Sequence, residues 1–240
     1  MRTICNYVEK VNSVEYLDLM DNNITPLGCE FIGRTLCNQN NKIIKLKLDN
    51  NPIATEGLAK LAVGLRENST VEKLSFNYCG IDPSGVKYIQ EIMANINCKL
   101  RSLKMQGNPL GNEGSYELLR AVNICGQNLE KLNMGDVQMN LLNCQIELGN
   151  SIQERIAKEL CSIIEGNENI AKYNFRNNFI PDDIAKQIID LVKENKNIFI
   201  IDLPECIAHE LKELHSEVMK KRKLKKKKKG KKGKGKKTKK

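Results

Sequence analysis

An apolar ladder with a fixed spacing recurs along most of the chain. Its pattern is L-x-x-L-x-L-x-x-N/C-x-L, and successive copies begin 28 or 29 residues apart, except for one longer interval. The seven copies begin at Val14, Ile43, Val71, Leu100, Leu129, Ile170 and Ile198. Alternation of apolar residues within each copy predicts one short strand with its apolar side chains on a single face.

The ninth ladder position carries Asn or Cys in most copies. These residues are Asn22, Asn51, Cys79, Asn108, Asn178 and Cys206. We expect each to turn inward after its strand, where an amide or thiol can bond the backbone of an adjacent turn. The fifth copy departs from the pattern with Val137, and the seventh has Ala208 where an apolar closing residue belongs.

The segment after each strand has the signals of a helix. Apolar residues recur at helical spacing, and Asp82-Pro83 places a capping residue before a proline at the first helical position. Four glycines recur in register, Gly28, Gly57, Gly85 and Gly114. Because glycine weakens a helix, its recurrence indicates close packing that leaves no room for a side chain.

The repeat length, the helix in every turn and the phrases LDNNPIATEGLAKLAVGL and LKMQGNPLGNEGSYELLRAV resemble the ribonuclease-inhibitor subclass of leucine-rich repeats. The resemblance covers residues 14 to 218. It implies an α/β fold, a curved solenoid of about seven strand and helix repeats with a parallel sheet on its concave face. It also implies protein binding, because such repeats mostly hold other proteins. Similar repeats occur in Ran GTPase-activating proteins and in axonemal and dynein regulatory complexes.

We divide the chain into three parts on this basis. Residues 1–13 form an N-terminal cap or a partial repeat, residues 14–219 form the repeat domain, and residues 220–240 form a disordered polylysine tail. The fifth repeat carries an insertion at 138–151, which includes Leu141, Leu142, Ile146 and Leu148. These apolar residues either pack on the solenoid edge, which we prefer, or form a contact surface.

Charge is divided sharply between the repeat domain and the tail. Residues 220 to 240 hold 16 of the 39 Lys and Arg residues and no acid, which leaves 23 basic residues against 29 acidic ones before them. A run of this composition cannot bury apolar area, so we expect it to be disordered.

The tail is predicted to bind polyanions through its cations. The candidate residues are Lys220, Lys221, Arg222, Lys223, Lys225, Lys226, Lys227, Lys228 and Lys229. Acidic tubulin termini, nucleic acid and anionic lipid are all candidate partners. A nuclear or nucleolar localisation signal and a solvating tail without a specific partner are the alternatives.

A basic strip is predicted on the concave face. Residues between the buried ladder positions point away from the core, and many of them are basic. The candidate partner-binding residues are Lys45, Lys47, Lys73, Lys104, Lys131, Lys172 and Arg176. Because the repeat domain is acidic overall, this strip suggests an acidic protein in the groove. Neutralisation of Lys73 and Lys131 by the neighbouring Glu72 and Glu130 is the competing interpretation.

The sequence offers little support for catalysis. It has two histidines, nine cysteines without a C-x-x-C pair, and no triad, paired-carboxylate or metal-ligand spacing. We therefore predict no catalytic residues, no metal and no cofactor. An enzyme-regulating role survives by analogy with Ran GTPase-activating proteins alone, and none of their functional residues can be placed here.

The expected function is a non-enzymatic adaptor, as a monomer or as a subunit of a larger complex. No apolar run is long enough to span a membrane, and Met1 to Lys10 lacks a signal core, so we expect an intracellular protein. A cytoplasmic location, at the cytoskeleton or in a cilium, is the first interpretation. A nuclear or nucleolar protein associated with RNA or chromatin is the alternative.

Overall fold

Seven short strands, one from each copy of the ladder, form one parallel sheet in chain order. The structure is a computed structural model. It describes residues 1–142, 144 and 151–234, with the backbone alone from residue 223 onward. The strands are β1 (Tyr16–Asp18), β2 (Lys45–Lys47), β3 (Lys73–Ser75), β4 (Ser102–Lys104), β5 (Lys131–Asn133), β6 (Lys172–Asn174) and β7 (Ile200–Asp202).

A helix follows every strand, and one more helix precedes the first. The helices are α1 (Arg2–Val11), α2 (Pro26–Cys37), α3 (Ala54–Leu65), α4 (Val86–Met93), α5 (Gly111–Cys125), α6 (Ile152–Gly166), α7 (Asp182–Glu194) and α8 (His209–Lys234). A short 3-10 helix, Pro83–Gly85, leads into α4, and the Asp82 side chain caps it by accepting from the Ser84 amide. The predicted α/β repeat solenoid is confirmed.

The core lies between the sheet and the helices. The apolar ladder residues of the second to sixth copies are all buried, whereas Val14 and Leu17 of the first copy are half-buried. Each repeat buries its apolar face against its neighbours, so the first copy, with one neighbour, is covered less well. In the last copy Ile207 is buried and Ala208 is exposed, so the closing position differs from the predicted one by one residue.

The amide at the ninth ladder position joins successive turns. The Asn108 Oδ1 atom accepts from the amides of Cys79 and Ile81, and its Nδ2 group donates to the carbonyls of Phe76 and Met105. Asn51 and Asn178 are bonded to the preceding turn in the same way. These bonds satisfy backbone groups that the stacked turns bury.

Cysteine can supply only part of this network. Burial raises the pKa of the Cys79 thiol to about 12, so the thiol stays protonated and donates to the Leu48 carbonyl at 3.2 Å. The inward prediction is wrong for Asn22, which is exposed and whose side chain bonds the Met20 carbonyl of its own turn. Asn22 lies in the first copy, which has no preceding ladder turn. Cys206 is also exposed, but its thiol donates to the Asn178 carbonyl of the preceding turn at 3.9 Å, as predicted.

Close packing at the recurring glycines is confirmed. A Cβ atom on Gly57 would lie 2.7 Å from the Ile53 side chain and 3.0 Å from the Cys29 Sγ atom. A tighter contact, which the sequence did not indicate, joins α2 to α3. There a Cβ atom on Gly64 would lie 2.7 Å from the Gly33 carbonyl carbon and closer still to its oxygen.

The last helix corrects the predicted boundary of the tail. Arg222, assigned to the polyanion-binding tail, is 9% exposed and donates to the carbonyls of Val192 and Lys193 at the end of α7. Its guanidinium satisfies backbone groups that a helix leaves without partners at its C-terminus. Helix α8 extends to Lys234, and lysine, which dominates its last turns, is a good helix former. Residues 235–240 lie outside the described residues.

The insertion of the fifth repeat begins with packed residues. Asn140 is bonded twice to Asn112, and Leu141 is fully buried with its amide bonded to the Phe179 carbonyl. Leu142 is exposed. Ile146 and Leu148 lie outside the described residues.

Candidate functional site on the sheet face

Two rows of side chains line the surface of the sheet opposite the helices. In each strand the central residue faces the core, so its two neighbours face the other way. The parallel register aligns these neighbours across the sheet. The first row contains Tyr16, Lys45, Lys73, Ser102, Lys131, Lys172 and Ile200. The second row contains Asp18, Lys47, Ser75, Lys104, Asn133, Asn174 and Asp202.

The lysines of β2 are bound by the first repeat. The Lys45 Nζ atom donates to the Tyr16 hydroxyl at 2.6 Å and lies 4.2 Å from the centre of its ring. The Lys47 Nζ atom lies 2.7 Å from Asp18 Oδ2. This bond lowers the pKa of Asp18 and raises that of Lys47, so both stay charged and neutralise each other. Neither lysine is a free cation.

The basic residue at the other end of the strip is also paired. Arg176 Nη2 lies 3.1 Å from Asp202 Oδ1 of the last strand. Three of the seven predicted binding residues therefore have local partners at the two ends of the sheet.

The remaining four residues have no side-chain partner among the described residues. Within the part of the chain that the structure describes, no side-chain hydrogen bond or ion pair holds Lys73, Lys104, Lys131 or Lys172, which we call the central lysines. They lie on β3 to β6, where neither row contains an acid. Lys131 and Lys172 are direct neighbours across two strands. Like charges so placed repel, at a cost of about 0.2–1 kcal/mol.

The competing interpretation named Glu72 and Glu130 as neutralising groups. Glu130 is instead paired with Arg101 of the preceding repeat. Both glutamates line a cleft with Lys99, Arg101 and Glu168, none of which belongs to either row. An ion pair with Arg101 thus occupies Glu130, and neither glutamate bonds a central lysine.

A chain of polar side chains runs across the sheet beside the lysines. Asp49 accepts from the Ser75 hydroxyl at 2.6 Å and from the Asn77 amide at 2.8 Å. Further along, Asn133 donates to Gln106 at 3.1 Å and accepts from Asn174 at 2.8 Å. Sequence reasoning missed this network, although Ser, Asn and Gln do recur at the fifth and seventh ladder positions. These hydrogen bonds hold the polar side chains between the central lysines in place.

An exposed aromatic residue lies beside this polar network. Tyr78 is 48% exposed, and its backbone has a φ of 54°, in the left-handed region that few such residues adopt. Its ring packs on Gly107, which has no side chain to block it, and its hydroxyl accepts from Gln106 Nε2 at 2.9 Å. Because the ring is already held in place, it would lose little side-chain conformational entropy when a partner binds to it.

Little of the predicted tail site falls within the described side chains. Lys220 and Lys221 are exposed, and Lys221 lies 3.9 Å from Glu217. Arg222 is buried, as described above. The side chains of Lys223 and of Lys225 to Lys229 lie outside the described residues.

Two kinds of site are absent from the part of the chain that the structure describes. No group of three or more His, Cys, Asp or Glu residues there is placed to hold a metal ion. No helix in that part of the chain is long and apolar enough to cross a membrane.

Comparison with known proteins identifies the repeats. A family model described as Leucine Rich repeat matches residues 12–33, 39–62, 67–89 and 97–119. The ribonuclease inhibitor of Mus musculus is 24% identical over 194 residues, which is 80% of this chain and 37% of that protein. The chain is a leucine-rich-repeat protein of the ribonuclease-inhibitor-like type. Proteins built from such repeats are protein-interaction scaffolds.

Other relatives of this leucine-rich-repeat chain are larger proteins. The ribonuclease inhibitor of Sus scrofa is 23% identical over 178 residues, covering 74% of this chain and 36% of that one. NACHT, LRR and PYD domains-containing protein 5 of Mus musculus is 30% identical over 129 residues, covering 53% and 11%. The chain thus spans 37% or less of the length of each relative named here.

Two solved structures are similar in outline. The tropomodulin C-terminal domain of Caenorhabditis elegans has a TM-score of 0.47 at 15% identity and covers 82% of this chain and 94% of its own. Leiomodin-1 Actin-Binding Site 2 has a TM-score of 0.34 at 12% identity and covers 96% and 93%. Both scores lie below 0.5, so neither likeness bears on what this chain binds.

Proposed function

We propose that this leucine-rich-repeat protein is a non-enzymatic scaffold that holds an acidic segment of another protein against the sheet face of β3 to β6. The observation that carries the proposal is the set of unpaired central lysines. Among the side chains that the structure describes, the basic residues around them on the sheet face have local partners, and these four do not. An acidic partner would supply the missing counter-charges.

The energetics of the sheet support this assignment. Repulsion between Lys131 and Lys172 costs stability, and an acid at either position would remove it. Coulombic attraction to a bound acidic segment would offset the same repulsion and steer the encounter. Like charges that are kept side by side although they lower the stability of the fold are typical of a binding surface.

The tail supplies a second, less specific attraction. Its basic residues, 16 in residues 220 to 240 with the buried Arg222 included, displace counterions when they meet a polyanion, so the contribution of the others falls steeply with salt. We propose that it tethers the protein to an acidic surface, of tubulin termini or of nucleic acid, while the sheet face selects the partner. Co-sedimentation with microtubules and with RNA separates the cytoskeletal from the nuclear placement.

Charge reversal on the sheet face tests the proposal. All four central lysines are changed to Glu in the full chain, and binding of a polyglutamate peptide is measured at physiological ionic strength, where long-range attraction is screened. We expect affinity to fall by about tenfold or more. The melting temperature should stay nearly unchanged, because these side chains make no bonds that are lost.

The matched control reverses four exposed helix lysines, Lys10, Lys87, Lys158 and Lys186. This variant has the same net charge and the same tail, so it reports the nonspecific part of the effect. A third variant, Lys131→Glu, places opposite charges side by side and should bind less tightly while melting slightly higher. Equal loss of binding in the two reversed proteins would contradict the proposal.

A further inference from the structure

A recess in the basic strip is centred on Ser102. Ser102 is the one small residue of the first row on β3 to β6, and its direct neighbours on either side are Lys73 and Lys131. Neighbouring strands lie about 4.8 Å apart, so both lysine stems rise beside the serine. Lys104 lies two residues further along β4, at about 6.6 Å, on the same face. Three cations therefore surround one short side chain.

The Ser102 hydroxyl, at the bottom of the recess, can donate a hydrogen bond. Ser102 is 6% exposed, as expected for a short side chain walled by long ones. Among the described residues, its hydroxyl has no side-chain hydrogen bond, and none of the three ammonium groups has one. These four donors lie on one side of the sheet at neighbouring register positions, and no side-chain acceptor of the described residues bonds them. Such an arrangement suits a small anion with several oxygens and more than one charge.

We propose that this recess binds the phosphate group of a phosphorylated side chain in the acidic partner, which rests on the proposed function of the sheet face. A phosphomonoester carries a charge of about −1.5 to −2 and three acceptor oxygens at neutral pH. A carboxylate has a single charge and would leave most of the three cations uncompensated. Charge-assisted bonds of this kind are roughly twice as strong as neutral ones.

The surroundings favour a single phosphate over a nucleic-acid backbone. The second row continues from Lys104 into the neutral, hydrogen-bonded Asn133 and Asn174, and it begins and ends with Asp18 and Asp202. A nucleic acid presents a phosphate at every nucleotide and needs a continuous cationic path. Within the described side chains of the two rows, unpaired cations continue beyond the recess only to Lys172.

Two variants test the recess without removing a charge. Ser102→Ile fills it with a side chain that the first row already holds at Ile200, and all lysines remain. Ser102→Thr keeps the hydroxyl and adds one methyl group. Each full-length protein is titrated with an acidic peptide containing a central phosphoserine and with its unphosphorylated twin. The central-lysine reversal gives the baseline preference due to the tail.

We expect the wild type and Ser102→Thr to prefer the phosphopeptide by about tenfold over that baseline. Ser102→Ile should lose this preference while binding the unphosphorylated peptide as before. Preference retained in Ser102→Ile, or absent from the wild type, overturns the phosphate site but leaves the acidic-partner proposal standing. Failure of the central-lysine reversal to weaken either peptide overturns both.

Competition separates the possible sources of phosphate. Inorganic phosphate should displace the phosphopeptide only weakly, because the flanking carboxylates of the peptide also bind the central lysines. A single-stranded oligonucleotide should compete equally well in the wild type and in Ser102→Ile, since it is held by the tail. Displacement by the oligonucleotide that depends on Ser102 would contradict the inference.

Discussion

Replacement of Asn108 by Ala is expected to lower the free energy of unfolding by about 4 kcal/mol or more. The side chain is fully buried and bonds the amides of Cys79 and Ile81 and the carbonyls of Phe76 and Met105. Alanine leaves these four groups without a partner, and each buried orphan costs about 1–3 kcal/mol. A domain of ordinary stability, about 5–15 kcal/mol, would lose much of its margin.

The matched control is Asn22→Ala at the same ladder position. The Asn22 side chain is exposed and makes one bond, to the Met20 carbonyl. Its removal should cost less than about 1 kcal/mol. Asn108→Cys should fall between the two, since the thiol of Cys79 shows that cysteine can donate one such bond. Denaturant unfolding of the three proteins measures the differences, and equal losses for Asn22 and Asn108 would refute the role given to the ladder amide.

Replacement of Gly64 by Ala is expected to destabilise the chain by about 2 kcal/mol or more. Alanine gains about 1 kcal/mol over glycine from helix propensity alone. That gain is outweighed because the new methyl group would overlap the backbone of Gly33 on α2, which cannot move away as a flexible side chain can. Overpacking of this kind costs about 1–3 kcal/mol even against side chains.

Gly166→Ala provides the control for this prediction. Gly166 ends α6, and a Cβ atom there would meet nothing within 4 Å. This substitution should leave the melting temperature unchanged or raise it slightly. A stabilised Gly64→Ala protein would show that α2 and α3 can separate without loss, against the close packing described here.

The fold was largely predictable because the repeat pattern encodes it. Residues such as Leu46, Leu74 and Leu103 stand at the positions that a stacked parallel sheet must bury, and the structure buries them. The ladder prediction failed in the first copy, at Asn22, because a repeat pattern does not show which turns lack a neighbour. The contact between Gly33 and Gly64 was missed because these glycines do not recur in register.

The sequence predicted where the basic residues of the candidate site lie, but it did not predict which of them form ion pairs. Strand alternation placed the lysines on the sheet face, but the choice of partner depends on cross-strand neighbours and rotamers. Lys47 forms an ion pair with Asp18, and Glu130 forms one with Arg101; the residues of neither pair are adjacent in sequence.

The burial of Arg222 could have been predicted from helical spacing, although the residue lies in a lysine-rich segment. It follows Val218 by one helical turn, and both residues are buried against the end of α7. Helical spacing from Val218 could have separated it from the lysine run that follows.

Zero-length cross-linking tests the central claim most directly. A carbodiimide joins the carboxylates of a bound polyglutamate peptide to nearby lysines of the full-length chain, and mass spectrometry locates the new amide bonds. The proposal predicts cross-links at Lys73, Lys104, Lys131 and Lys172 well above those at Lys10, Lys87, Lys158 and Lys186, in addition to those on the tail. Cross-links confined to residues 220–240, or equal labelling of the sheet and helix lysines, would contradict an acidic partner on the sheet face.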